Sequence, residues 1–193
     1  MTQEFYQYTA QENSIFETAI PEADRPEVSK ILKAAETIIK SLRTLSSTSQ
    51  AGFVLAITQR GNLPVMTQKY GQQIEDPDHA LVYAHLNIQT VVANPNFISS
   101  SEVNPSPDHI GAVAFDKWIL SVRGFRNPQM NAAVAIGIAF GAGLINYQKA
   151  EELARNPHTN CINAYMENEE ALTGPFLSER STSRDPLLPP QDI

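Results

Sequence analysis

Residues 132–145 read Ala-Ala-Val-Ala-Ile-Gly-Ile-Ala-Phe-Gly-Ala-Gly-Leu-Ile, with no polar side chain between Asn131 and Asn146. No other stretch limits the chain's options so sharply. A bilayer span needs about 20 such residues, so the run is read as a helix sealed inside a protein core. Asn127-Pro128 supplies a cap and a first-turn proline, and Pro157 supplies the stop. One long helix is therefore predicted from 128 to about 155. Gly137 and Gly141 stand four apart within it, a spacing that lets a neighbour approach the backbone closely. That neighbour is expected to be the sheet or a partner subunit.

The rest of the chain is punctuated by similar signals. Asp24-Arg25-Pro26-Glu27 resembles a capping box. Val28, Ile31, Leu32, Ala35, Ile38, Ile39, Leu42 and Leu45 follow at helical spacing. Residues 52–59 are apolar on both faces, which predicts an inner strand. A turn at Arg60-Gly61-Asn62 leads to a second strand over 63–67, where Pro64 favours an edge or a bulge. Asp76-Pro77 opens a second helix with the stripe Leu81, Ala84, His85, Ile88, Val91 and Val92, ending near Asn94-Pro95. Residues 96–109 form a loop long enough to be a lid or binding loop. Two further strands, 110–115 and 118–125, turn at Asp116-Lys117. The order predicts an α/β (α+β) fold with one antiparallel sheet of about four or five strands and flanking helices. Residues 1–25 are read as an N-terminal arm and 26–157 as a single domain. Residues 158–193 are read as a C-terminal extension, disordered from about 178.

Composition excludes several functions. At 193 residues the chain suits one domain, and 42% hydrophobic with 18% charged residues is a globular balance. The net charge of −7 and the scattered basic residues argue against a nucleic-acid face. Met1-Thr2-Gln3-Glu4-Phe5 has no apolar h-region, so no signal peptide, no membrane association and a cytoplasmic location are expected. Cys161 is the sole cysteine. It rules out a disulfide within the chain and is read as an inert or partly exposed thiol. No phosphate-binding loop, dinucleotide fingerprint, convincing carboxylate pair or metal-ligand spacing stands out, so a non-enzyme is favoured. His79 and His85, six apart, do not share a helix face. His85 is read as a satisfied core histidine, with haem or metal ligation as the sharper alternative. The most chemical spot is the approach to the last helix. There Arg123 and Arg126 flank a cap at Asn127, and free N–H groups with a positive dipole end suit a carboxylate or phosphate.

Val54-Leu55-Ala56-Ile57-Thr58-Gln59-Arg60-Gly61-Asn62-Leu63 resembles the strand–turn–strand of the GlcG-like family. That family includes HbpS-type haem-binding proteins and the C-terminal domain of PduO-type proteins. Residues 84–91 resemble its next helix, 111–115 and 119–124 its later hairpin, and 131–139 the start of its last helix. The resemblance spans about residues 26–150. It implies a profilin-like three-layer arrangement, a homodimer or higher homo-oligomer, and binding of a small molecule or haem. Thr58, Asn87, Arg123 and Asn131 stand where the family usually has Asp, Lys, Ser and an acidic residue, so no catalytic residue is carried over. The ligand-binding residues expected are Arg123, Arg126 and Asn127, with His85 or Tyr83 as an axial contact if the guest is haem. The alternative is a non-enzymatic homodimeric interaction scaffold of the roadblock or profilin-like type.

Overall fold

A computed structural model describes residues 21–45, 52–60, 65–71, 74 and 76–177. The elements are α1 (Arg25–Leu45), β1 (Phe53–Gln59), β2 (Met66–Tyr70), α2 (Pro77–Ala93), β3 (Ala112–Phe115), β4 (Trp118–Arg123), α3 (Pro128–Gly141), α4 (Tyr147–Arg155), α5 (Ile162–Glu167) and α6 (Glu169–Leu172). Short 3-10 turns cover Glu22–Asp24, Ser100–Glu102 and Pro107–His109. The four strands make one antiparallel sheet in the order β2-β1-β4-β3.

Strand alternation divides the side chains between two apolar layers. Phe53, Leu55 and Ile57 of β1 join Leu120 and Val122 of β4 in the main core, with α1 and α3. Val54 and Ala56 join Ile119, Ala112 and Ala114 on the opposite face, beneath Ala80, Ala84, Ile88 and Val91 of α2. Both faces of the sheet therefore carry helices, and β1 is buried from Phe53 to Thr58, apolar from Phe53 to Ile57, because it lies inside. The row Ala56–Ser121–Ala112 is small, which leaves room for α2. The buried stripe of α2 also takes in Ala80 and Asn87, while Leu81, His85 and Val92 are half-buried at its margins.

Several expectations change. The second strand, expected over 63–67, covers Met66–Tyr70 and so runs three residues further; among the described residues its strand neighbour is β1. The expected Gly61-Asn62 turn, Pro64, residues 1–20 of the arm expected over 1–25 and the tail from 178 lie outside the described residues, while Glu22–Asp24 of that arm form a 3-10 turn and Arg25 starts α1. Asp24 and Glu27 do not form a capping box. Asp24 accepts from Lys117 Nζ (2.7 Å) and Gln59 Nε2 (2.7 Å), and Glu27 accepts from Trp118 Nε1 (2.7 Å) and faces Lys117 Nζ (2.9 Å). These contacts clasp the start of α1 to the β3–β4 turn.

The long helix expected over 128–155 is two helices. Leu144 N donates to Ala139 O (2.9 Å) and Gly143 N to Phe140 O (3.0 Å). That pair of bonds closes a helix around a left-handed residue, and Gly143 has φ +76°. Asn146 then caps α4 through Lys149 N at 2.8 Å. Residues 158–177, expected as an extension, pack into the main core: Cys161, Tyr165 and Leu172 are fully buried and Phe176 nearly so. The glycine pair of α3 meets this segment and α1 rather than the sheet. A Cβ on Gly137 would lie 3.1 Å from Leu172 and 3.2 Å from Ile38; one on Gly141 would lie 2.5 Å from the Phe176 ring. Enclosed on all sides, α3 buries every residue from Met130 to Phe140.

Candidate functional site

Asp76 accepts from His79 N at 3.0 Å and Pro77 starts the helix, which fixes the rotation of α2. His79, Tyr83 and Asn87 then follow at intervals of four and form one row along it. The His79 and Tyr83 ring centroids lie 4.3 Å apart. Arg123, the last residue of β4, alternates with Val122 and so turns to the α2 side. Its guanidinium carbon sits 5.5 Å from the Tyr83 ring centroid. A cation over an aromatic face is attracted by the ring's negative π surface.

The remaining partners of Arg123 come from the tip of the loop. Nη1 donates to Pro107 O (3.0 Å) and at the limit of range to Ile110 O (3.5 Å), and Nη2 pairs with Asp108 Oδ1 (3.1 Å). Asn87 Nδ2 donates to Asp108 O at 3.3 Å. The His109 ring stands edge-on to Tyr83 at 6.1 Å. Arg123 is 9% exposed, whereas the Asp108 side chain is 50% exposed. Burial pulls the Arg123 pKa below its ordinary value, and the Asp108 carboxylate opposes that. Among the described residues, Asn87 Oδ1 and His109 Nδ1 are buried without a hydrogen-bond partner. Such atoms carry an uncompensated desolvation cost of about 1–3 kcal/mol each.

The expected site is only partly assembled. Arg123 faces α2 while α3 covers the other side of the sheet, so strand alternation turns Arg123 away from α3. Arg126 is exposed. Asn127 caps α3 through Gln129 N at 3.0 Å. Tyr83 joins the Arg123 cluster, but His85 does not, since two residues turn a helix by about 200°. His85 Nε2 instead lies 2.6 Å from Thr67 Oγ1 on β2. The ring is half-buried, not a core residue, and desolvation lowers its pKa. The four positions where the chain departs from the GlcG-like pattern also separate. Asn87 and Arg123 meet at Asp108, Thr58 lies at the other end of β1, and Asn131 packs on the α3 side, accepting from Phe125 N at 3.2 Å.

The loop over 96–109 is not a free lid. Ala114 N donates to Ile98 O at 2.8 Å, Ser99 bridges Val113, and Glu102 closes a capping box on Ser99. This part straps the outer edge of β3, and only the tip beyond residue 105 reaches Arg123. Cys161 is completely buried rather than partly exposed, and burial pushes its thiol pKa up to about 12. Asp108, Asn87 and His109 are the members of the cluster that sequence reasoning missed. The four-residue spacing of His79, Tyr83 and Asn87 was a usable signal; the loop contacts had none. Among the described residues no group of three or more His, Cys, Asp or Glu side chains is placed to hold a metal ion, and no helix is long and apolar enough to cross a membrane. Comparison with protein-family models, curated proteins and solved structures finds no match for this chain.

Proposed function

We propose that this chain is a non-catalytic, cytoplasmic small-molecule-binding module of the GlcG-like kind, with its layers in the profilin-like arrangement. One observation carries the reading. A buried guanidinium lies beside two buried polar atoms, Asn87 Oδ1 and His109 Nδ1, whose hydrogen-bonding capacity is unfilled. Buried polar groups are normally satisfied, and unfilled ones gathered around a charge suit a guest. The guest is a small organic anion held over Tyr83 and Arg123, with a donor group of its own for Asn87 Oδ1, which can only accept. Haem is less well supported as that guest, because the His85 nitrogen is engaged by Thr67. The test is a titration of 15N-labelled protein with small organic anions, beside haemin followed by visible absorption. Anion-induced shifts centred on Tyr83, Asn87, His109 and Arg123 are expected. A blank response to every anion and to haemin would discard the reading.

A second reading, the homodimeric interaction scaffold of roadblock or profilin-like type, has its own support. Among the described residues β2 is hydrogen-bonded to β1 alone, whereas the β3 edge is strapped by the loop. An edge of this kind favours pairing with a second copy. The Ala- and Gly-rich surface of α3 offers no such support, since the chain itself covers it. Sedimentation at micromolar concentration tests the dimer that this reading requires: a species of only 21.3 kDa would remove it.

A further inference from the structure

On the reading of the Arg123 cluster as a binding site, we infer that Asp108 is a built-in stand-in for the guest's carboxylate, and that small monocarboxylates enter by taking Arg123 from it. The reasoning begins with charge. A guanidinium as buried as Arg123 requires a counter-ion. Asp108 supplies it through one carboxylate oxygen, from a side chain that is itself half in water. An incoming carboxylate can take that place with no change in the net charge of the buried pair. The displaced Asp108 loses little, because solvent is already at hand. A second negative charge on the guest would have no matching cation in the Arg123–Asp108 exchange, which favours monoanions.

The loop is built for such an exchange. Upstream it is anchored where Ser99 bridges Val113, and downstream at Gly111, whose φ of +147° and closeness to Val122 O exclude a side chain. Between those anchors, the tip is held to the wall by Asn87, Arg123 and the bond from Ser100 Oγ to His109 O. With the tip in place, Asn87 Oδ1 and His109 Nδ1 stay unfilled. The closed arrangement therefore satisfies the charge but not the hydrogen bonds around it. A guest bearing a carboxylate can satisfy the charge and leave the tip free to move.

Benzoate and its neutral analogue benzamide test the exchange by calorimetry on the full chain. Asp108→Asn keeps the side-chain shape and removes the competing charge. It should bind benzoate at least about tenfold more tightly than wild type, the scale of one charge-assisted hydrogen bond, with no gain for benzamide. In the wild type, saturating benzoate should speed amide exchange at His109 and Ile110, whose N–H groups bond to Ser106 O and Pro107 O. Equal benzoate affinity in both proteins would overturn the exchange while leaving the binding site standing. Failure of both to bind benzoate would overturn the monocarboxylate site itself. Should the variant fold poorly, unchanged exchange at these two amides in benzoate-saturated wild type overturns the proposal alone.

Discussion

At the scale of single residues, the position of a side chain relative to water decides its behaviour. His85 lies half-buried against Thr67, and desolvation holds its pKa below the ordinary 6.5. The unfolded chain takes up that proton more readily than the native one, so His85 favours the native state fully above pH 6.5 and the benefit is lost as pH falls below it. A melting-temperature series from about pH 7.5 to about pH 5 should show this decline. His85→Gln should flatten it; an unchanged slope would mean that other groups cause it. Gly141 is governed by space instead. A Leu there would drive into the Phe176 ring, and urea unfolding should register a loss of about 1–3 kcal/mol. The loss should shrink in a Phe176→Ala background, because the same ring is the obstacle. The sequence made part of this legible: the two glycines announced a close contact, while the common face of His79, Tyr83 and Asn87 lay unread in their spacing of four. It could not announce Asp108. The partner of Arg123 depends on which face β4 turns to α2 and on where a distant loop returns.

At the scale of elements, caps were the most readable feature. Asp76-Pro77 and Asn127-Pro128 open α2 and α3 where local chemistry predicts. The break after Gly141 was harder to see. In an all-apolar run no polar face marks where helical order stops, although Gly143 and Asn146 were its signals. The extent of strand β2 was hard to read because three of its five side chains are polar and at least partly exposed, as an edge allows. The clasp on α1 yields a sharper test. Hydrogen bonds from Lys117 hold the Asp24 and Glu27 carboxyls below their ordinary values of 3.8 and 4.5, with help from Gln59 and Trp118. Depressed acids contribute stability above those values and lose it as pH falls through the lower, folded ones. Lys117→Met should therefore melt below wild type at neutral pH, and the two curves should converge under acid. Trp118 is the chain's single tryptophan and touches Glu27 directly, so its fluorescence reports the clasp. A constant gap between the curves at every pH would show that the ion pairs are not its cause.

At the scale of the whole molecule, the order helix, two strands, helix, two strands, helix was legible because each element carried its own period. The closing of the core was not. Cys161, Tyr165, Leu172 and Phe176 come from short helices and turns whose apolar residues show no sustained repeat, yet all four are buried against the main core. Burying each large side chain contributes about 1.5–3 kcal/mol, so together they rival the roughly 5–15 kcal/mol that holds a domain folded. A chain ending at Pro157 should lose cooperative unfolding and its near-ultraviolet circular dichroism. A sharp transition in that truncated chain would show that the layers stand without their cover. The enclosure of α3 also has a consequence in time. A ribosome makes α3 before it makes the segment that seals it. At about 5–20 residues per second, residues 142–177 follow over roughly 2–7 s. Throughout that interval the most apolar of the described helices lacks its lid, and residues 132–140 are where a chaperone is expected to hold the nascent polypeptide.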